Sequence, residues 1–180
     1  MAITSAYRDV LTRTRAHSPQ WGNAQRHAAG VIRALEALDV HGGLILDYGA
    51  GTGAFGRSVA ALSSHRFSVV NYEPSVPSWS ELSLGPFDAV VCTHVLEHVE
   101  PELLEATIAE LGARARVLIY VEVPHGPANK ELDDGRDAHL TQWPRDRWEA
   151  WLNFPGFKRR RGVAANPINS LWYFEREVIK

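Results

Sequence analysis

A single cysteine, Cys92, stands in 180 residues, so no intrachain disulfide framework can form and a reducing cytosol suits the chain. No stretch reaches the roughly 18 uninterrupted apolar residues that a membrane span requires, and Met1 to Val10 carry no apolar export core. Neither export nor membrane insertion is expected. An excess of charge of one sign is also missing. Lys and Arg number 19 against 21 Asp and Glu, and the net charge of −2 exerts no global pull on nucleic acid. The one dense basic run, Lys158 to Arg161, reads either as a solvated strand edge or as a polyanion contact. Internal repeats and low-complexity linkers are absent. With 45% hydrophobic residues, the chain is expected to form one domain over residues 1–180. Within it, residues 1–22 mix Tyr7, Arg13, Arg15, His17 and Trp21 without a clear core pattern, and read as a substrate lid or a loosely packed arm.

What is present is an alternation of strands and helices. Ala28, Val31, Ile32, Leu35 and Leu38 fall at helical spacing within Ala24 to Leu38, and His41-Gly42-Gly43 ends the element. Leu44-Ile45-Leu46 then runs into a glycine cluster, the pattern of a buried parallel strand that ends in a functional loop. Phe67 to Tyr72, Phe87 to Thr93 and Val117 to Val123 read as further strands, rich in β-branched and aromatic residues. Between the last two, Pro101 opens a helix with Leu103, Leu104, Ile108 and Leu111 on one face, and Gly112 is expected to end it. After Pro144, Trp148, Trp151 and Leu152 mark a helix closed by Gly156. Phe157 to Ala164 and Leu171 to Ile179 then form an antiparallel pair across Asn166-Pro167-Ile168-Asn169. The pattern predicts an α/β fold with a mostly parallel sheet covered on both faces.

The glycine cluster, Asp47-Tyr48-Gly49-Ala50-Gly51-Thr52-Gly53, leaves two cofactor readings, because Gly51 to Gly56 also satisfies a dinucleotide pattern. Asp47 decides between them. A carboxylate directly before the glycines repels a pyrophosphate and attracts the ammonium of S-adenosylmethionine. Glu73, after the second strand, is placed to accept hydrogen bonds from ribose hydroxyls in either ligand. The chain is also too short for the substrate domain that dinucleotide enzymes usually add.

Leu46 to Gly53, then Tyr72-Glu73-Pro74-Ser75, then Phe87 to Val99 resemble the successive motifs of class I S-adenosylmethionine-dependent methyltransferases. The resemblance covers Gly43 to Ile179, and Asp134 to Leu140 is similar to a segment of short bacterial and phage members. It implies a Rossmann-like three-layer sandwich with a closing antiparallel hairpin. It also implies that Asp47, Tyr48, Gly49, Gly51 and Gly53 hold the methionine end, Glu73 and Pro74 the ribose, while Thr93 and His94 face the reactive methyl. The chain departs from the family between Pro74 and Phe87, where Pro77 and Pro86 interrupt an interval too short for a further helix and strand. An edge strand after strand two is expected to be missing or reduced. Trp79, Ser80 or Glu81 then stands in for the usual adenine contact or, for Trp79, packs a loop.

Methyl transfer is an in-line displacement, so the protein orients the acceptor and removes its proton. Candidate acid–base residues are His94 and His98, with Glu97, His125 and His139 near them in the motif order. Tyr48 reads as a cation–π contact to the sulfonium or as packing beside the loop. If a helix begins at His94, the spacing brings His94, Glu97 and His98 to one face. A similar Glu-x-x-Glu-His segment followed by a distant histidine carries divalent metal in ubiquinone-biosynthesis O-methyltransferases and plant small-RNA 2′-O-methyltransferases. By that resemblance Glu97, His98 and His139 are candidate ligands for Mg²⁺, Mn²⁺ or Zn²⁺, with His94 in place of the first glutamate. The expected activity is methylation of a hydroxyl on a small-molecule acceptor. The alternatives are an RNA-end or nucleotide methyltransferase using Lys158 to Arg161, and a non-catalytic S-adenosylmethionine-binding module.

Overall fold

The computed structural model describes residues 3–17, 24–160 and 168–177. Its centre is a six-stranded sheet in the order β2-β1-β3-β4-β6-β5. The strands are β1 (Gly43–Tyr48), β2 (Phe67–Tyr72), β3 (Phe87–Thr93), β4 (Ala115–Pro124), β5 (Phe157–Arg160) and β6 (Asn169–Arg176). The first four are parallel, and β6 runs antiparallel to both β4 and β5. The mostly parallel sheet with its closing antiparallel hairpin is thus as expected. Trp21, Gly22, Arg161 to Pro167 and Ile179 lie outside the described residues.

Side chains alternate along each strand, and the alternation builds two cores. Leu46, Val90, Cys92, Ile119 and Val121 point to the face covered by α4 (Leu104–Arg114) and α5 (Arg145–Trp151), where Leu104, Ile108, Leu111 and Trp148 meet them. Ile45, Ala89, Val91, Leu118 and Tyr120 point the other way, to α2 (Ala28–Glu36) and α3 (Ala54–Leu62). Three layers result. A truncation such as Leu46→Ala in this packing costs about 2–5 kcal/mol.

Between β2 and β3 the chain forms only a short 3₁₀ turn, Pro77–Trp79, so β2 is the sheet edge and the expected strand is missing. Trp79 packs against the glycine loop, and its carbonyl accepts from the Glu73 amide at 2.9 Å. Of the basic run, Lys158 to Arg160 lie on the edge strand β5, where Arg159 pairs with Glu149 at 3.2 Å and Arg160 with Glu175.

Three expectations are corrected. Gly112 does not end its helix, which runs to Arg114; it gives room to Phe154, which a Cβ there would approach to 3.3 Å. Gly156, at φ +77°, opens the turn into β5 rather than closing α5, which stops at Trp151. The described part of the N-terminal stretch is neither loose nor patternless: α1 (Ser5–His17) buries Tyr7, Val10, Leu11 and Thr14 against Leu132 and Ala138. Its stripe was obscured because its partner, residues 128–140, is itself irregular and distant in sequence.

Candidate active site

The carboxyl ends of β1, β2, β3 and β4 open together, as a parallel sheet requires where its strand order reverses. After β1 the chain turns at Gly49, φ +80°, where any Cβ would collide with the Val95 side chain. The Gly49 and Ala50 amides donate to the Tyr72 carbonyl at 2.8 and 2.9 Å, fixing the loop to β2. Gly53, at φ +69°, precedes α3. Glu73 is 5% exposed, and its Oε2 accepts from the Gly51 amide at 3.0 Å and from Arg15 Nη2 at 2.7 Å.

A cavity of about 320 Å³ lies above this loop. Of the residues singled out from sequence, Tyr48, Gly49, Gly51, Glu73, Pro74, Thr93, His94, His98 and His139 line it. Asp47, Gly53 and Glu97 are buried and do not line it. Trp79, Ser80 and Glu81 do not line it. Tyr48 lies with its ring 4.9 Å from that of Tyr72 and its hydroxyl 3.2 Å from Glu110. Asp47 is 1% exposed, with one carboxylate oxygen lacking a partner among the described residues. Burial, then the charge of Glu73, pushes its pKa up to about 7.

At the far end of the cavity the chain leaves β3 through His94, φ +55°, and a 3₁₀ turn, Leu96–His98. No α-helix starts at His94, yet the residues still converge. Glu97 is fully buried, and neither of its oxygens has a hydrogen-bond partner among the described residues. Around Oε1 stand His94 Nδ1 at 3.6 Å, His98 Nε2 at 3.8 Å and His139 Nε2 at 4.0 Å. His98 Nδ1 bonds the Ala138 carbonyl at 2.5 Å and His139 Nδ1 the Gly126 carbonyl at 2.6 Å, so each Nε2 presents its lone pair toward Glu97. Burial holds Glu97 well above the usual carboxylate range. It also lowers His98 to about 4, against the backbone bond that favours its charged form. Asp137 fixes His139 by accepting from the His139 amide at 2.7 Å and the Ala128 amide at 3.0 Å.

Sequence reading passed over Glu122, Arg26 and His27. Glu122, at the end of β4, is 7% exposed. Its Oε2 meets Arg26 Nη2 at 2.6 Å, His27 Nε2 at 2.8 Å and His94 Nε2 at 3.0 Å. Burial raises this carboxyl, but those bonds outweigh it and hold the group well below its ordinary range. Arg26 Nη2 also lies 2.8 Å from His94 Nε2, which can serve only one of the two neighbours. An acid within the apolar run Ile119 to Val123 was the available signal for Glu122. A second cavity, about 440 Å³, is walled by Pro124, His125, Ile168 and Asn169 and shares His94, Asn129 and His139 with the first.

Residues 21–158 match a methyltransferase domain family. The chain belongs to that family. No curated protein matches the sequence. Among solved structures, this methyltransferase resembles the Burkholderia thailandensis 1,6-didemethyltoxoflavin-N1-methyltransferase, which holds its substrate and S-adenosylhomocysteine. The two share 15% identity over 98% of this chain and 91% of that one, with a TM-score of 0.64. It also resembles the magnesium protoporphyrin IX methyltransferase of Synechocystis PCC 6803 with bound S-adenosylmethionine (18% identity, 96% and 92% coverage, TM-score 0.57). A third likeness is to the methyltransferase domain of bacterial CtHen1-CN, at 18% identity over 85% of this chain and 98% of that one, with a TM-score of 0.51. The fold and family are those of class I S-adenosylmethionine-dependent methyltransferases. No helix among the described residues of this methyltransferase is long and apolar enough to cross a membrane.

Proposed function

We propose that this methyltransferase transfers a methyl group to a hydroxyl of a small-molecule acceptor, with the whole chain acting as one domain. The cofactor occupies the first cavity, its methionine end on the backbone of Gly49 and Gly51 and its ribose on Glu73. The acceptor occupies the second cavity, so the transferred methyl crosses where the two share His94 and His139.

One observation carries the choice of a hydroxyl. A fully buried carboxylate with both oxygens unpartnered costs several kcal/mol, and here three histidine nitrogens surround it. That donor set fits a divalent cation, held by Glu97, His98 and His139 with their rings fixed by backbone carbonyls. A cation there supplies a Lewis acid that lowers the pKa of a bound hydroxyl. The remaining work falls to the side chains. His94 borders both cavities and its left-handed backbone turns the ring between Glu97 and Glu122. With Glu122 accepting from Nε2, the basic nitrogen is Nδ1, placed to take the acceptor proton. His98, bonded to Ala138 and kept neutral by burial, serves as a ligand; without the cation it is the second candidate base.

Dialysis against a chelator, readdition of Mg²⁺, Mn²⁺ or Zn²⁺, and assay of methyl incorporation into pools of hydroxylated metabolites test this reading. Activity that follows metal content supports it. Full activity in metal-free protein removes the cation, and no turnover of S-adenosylmethionine with any acceptor leaves a binding module.

A further inference from the structure

The carboxylate of Glu73 is fully subscribed. Two oxygens offer about four acceptor positions, and four donors reach them: the Gly51 amide at 3.0 Å and Arg15 Nη2 at 2.7 Å on Oε2, the Ser75 amide at 3.3 Å and Ser75 hydroxyl at 2.8 Å on Oε1. Three of these belong to the loop and turn that shape the site. Arg15 alone comes from elsewhere, from the last turn of α1, and it also donates to the Gly51 carbonyl at 3.3 Å. Its side chain is 17% exposed and lines the cofactor cavity.

We propose that Arg15 is a residue of the cofactor site that the ribose displaces, and whose return to Glu73 helps expel the product. The proposal rests on the reading that Glu73 receives the ribose hydroxyls. A diol donating to Glu73 finds every position filled, and the loop and Ser75 donors cannot leave without dismantling the site. Arg15 can leave by rotating its side chain. The helix need not move, because its other anchors are independent: the Thr4 amide and hydroxyl donate to Glu100 at 2.7 Å each, Arg13 pairs with Asp133 at 2.8 Å, and Thr14 accepts from the Asp133 amide at 2.9 Å. Exchange of one charge-assisted partner for one neutral ribose hydroxyl lowers the affinity for cofactor and product alike. When S-adenosylhomocysteine begins to dissociate, the guanidinium competes for the vacated oxygen and opposes rebinding. The arm trades affinity for turnover.

The test is calorimetry and stopped-flow release with S-adenosylhomocysteine and with 5′-methylthioadenosine, which keeps the ribose and lacks the amino-acid end. Wild type is compared with Arg15→Met, Arg15→Lys and Glu73→Gln. Arg15→Met is expected to bind both ligands about tenfold more tightly, the factor that corresponds to 1.4 kcal/mol, and to release S-adenosylhomocysteine more slowly by a similar factor. Arg15→Lys, which keeps the charge without the two-pronged contact, should fall between; it decides the matter if Arg15→Met has a depressed melting temperature. Unchanged or weaker binding in folded Arg15 variants overturns the proposal, as does a gain confined to S-adenosylhomocysteine, which would place the effect at the amino-acid end. If Glu73→Gln binds like wild type, the ribose assignment falls and takes the proposal with it. If Glu73→Gln loses binding while the Arg15 variants gain none, only the displacement fails.

Discussion

Glu73 and Glu97 are buried carboxylates at opposite ends of one cavity, and the protein treats them in opposite ways. Glu73 receives four hydrogen bonds, one of them also an ion pair with Arg15. Glu97 receives none among the described residues, although three histidines stand within 4.0 Å of it. Satisfying the first makes the cofactor end rigid, and a ligand must exchange with something already there. Leaving the second unsatisfied stores unfavourable energy that only an incoming cation or proton relieves. A site can thus be prepared by filling it with a replaceable partner or by withholding one.

The sharpest way to break this contrast is to remove the unsatisfied acid. Glu97→Gln is expected to lower methylation by about 10³-fold, on the scale of the several kcal/mol that a Lewis acid supplies, while S-adenosylhomocysteine affinity stays within about twofold. Parallel assays of rate and calorimetric affinity check it. Equal loss of both would mean that the two ends do not act separately.

Glu73→Gln should do the reverse, weakening S-adenosylhomocysteine by about ten- to a hundredfold, as expected for lost hydrogen bonds to a charged group. Metal content, measured by emission spectrometry, should not change. Metal lost together with the cofactor would erase the distinction.

A pH series sharpens the contrast further. The Glu97 carboxyl is raised above its ordinary value near 4.5, so the folded metal-free protein holds a proton that the unfolded chain releases. Its contribution to stability is complete below that value and is lost as pH rises through the elevated one. Denaturant titrations should therefore show metal-free wild type losing stability from about pH 4.5 upward relative to Glu97→Gln. His98, lowered from 6.5 to about 4, contributes in the opposite sense in both proteins and cancels in the difference.

The smallest effect is expected at Asp47. Its pKa near 7 leaves it mostly protonated at pH 6. Asp47→Asn should then bind S-adenosylhomocysteine within about twofold of wild type at pH 6, and diverge only at pH 8.5, where the carboxylate is charged. Calorimetry at both pH values decides. A large loss at pH 6 would place Asp47 in direct contact with the ligand.

The two ends also differ in how legible they were. The cofactor end is written locally: Leu44 to Leu46 give a strand by their apolar run, and the glycines after Asp47 give a turn by their backbone freedom. Glu73 follows a second strand whose bounds, Phe67–Tyr72, match the structure. The catalytic end depends on contacts that no window contains. Glu97 and His98 were found by their spacing from His94 within one short segment, and His139 through a family pattern. Glu122 and Arg26 went unread because one is an isolated acid in an apolar strand and the other sits in a helix entry. Only the fold places them together, 96 positions apart in the chain. The helix imagined at His94 failed because that residue takes a left-handed backbone that ends the strand instead of starting a helix.

The seating of α1 has a consequence for the order in which the molecule comes into being. Its anchor Asp133 lies 120 residues beyond Arg13, so during synthesis the helix leaves the ribosome well before the surface that receives it exists. At about 5–20 residues per second, it waits several seconds as a solitary amphipathic segment, too short at 13 residues to hold its helical form unaided. The strands of the central sheet up to β4 are all made in that interval. The segment that borders the glycine loop is therefore written before the strands of the sheet through β4 and can be put in place only after them.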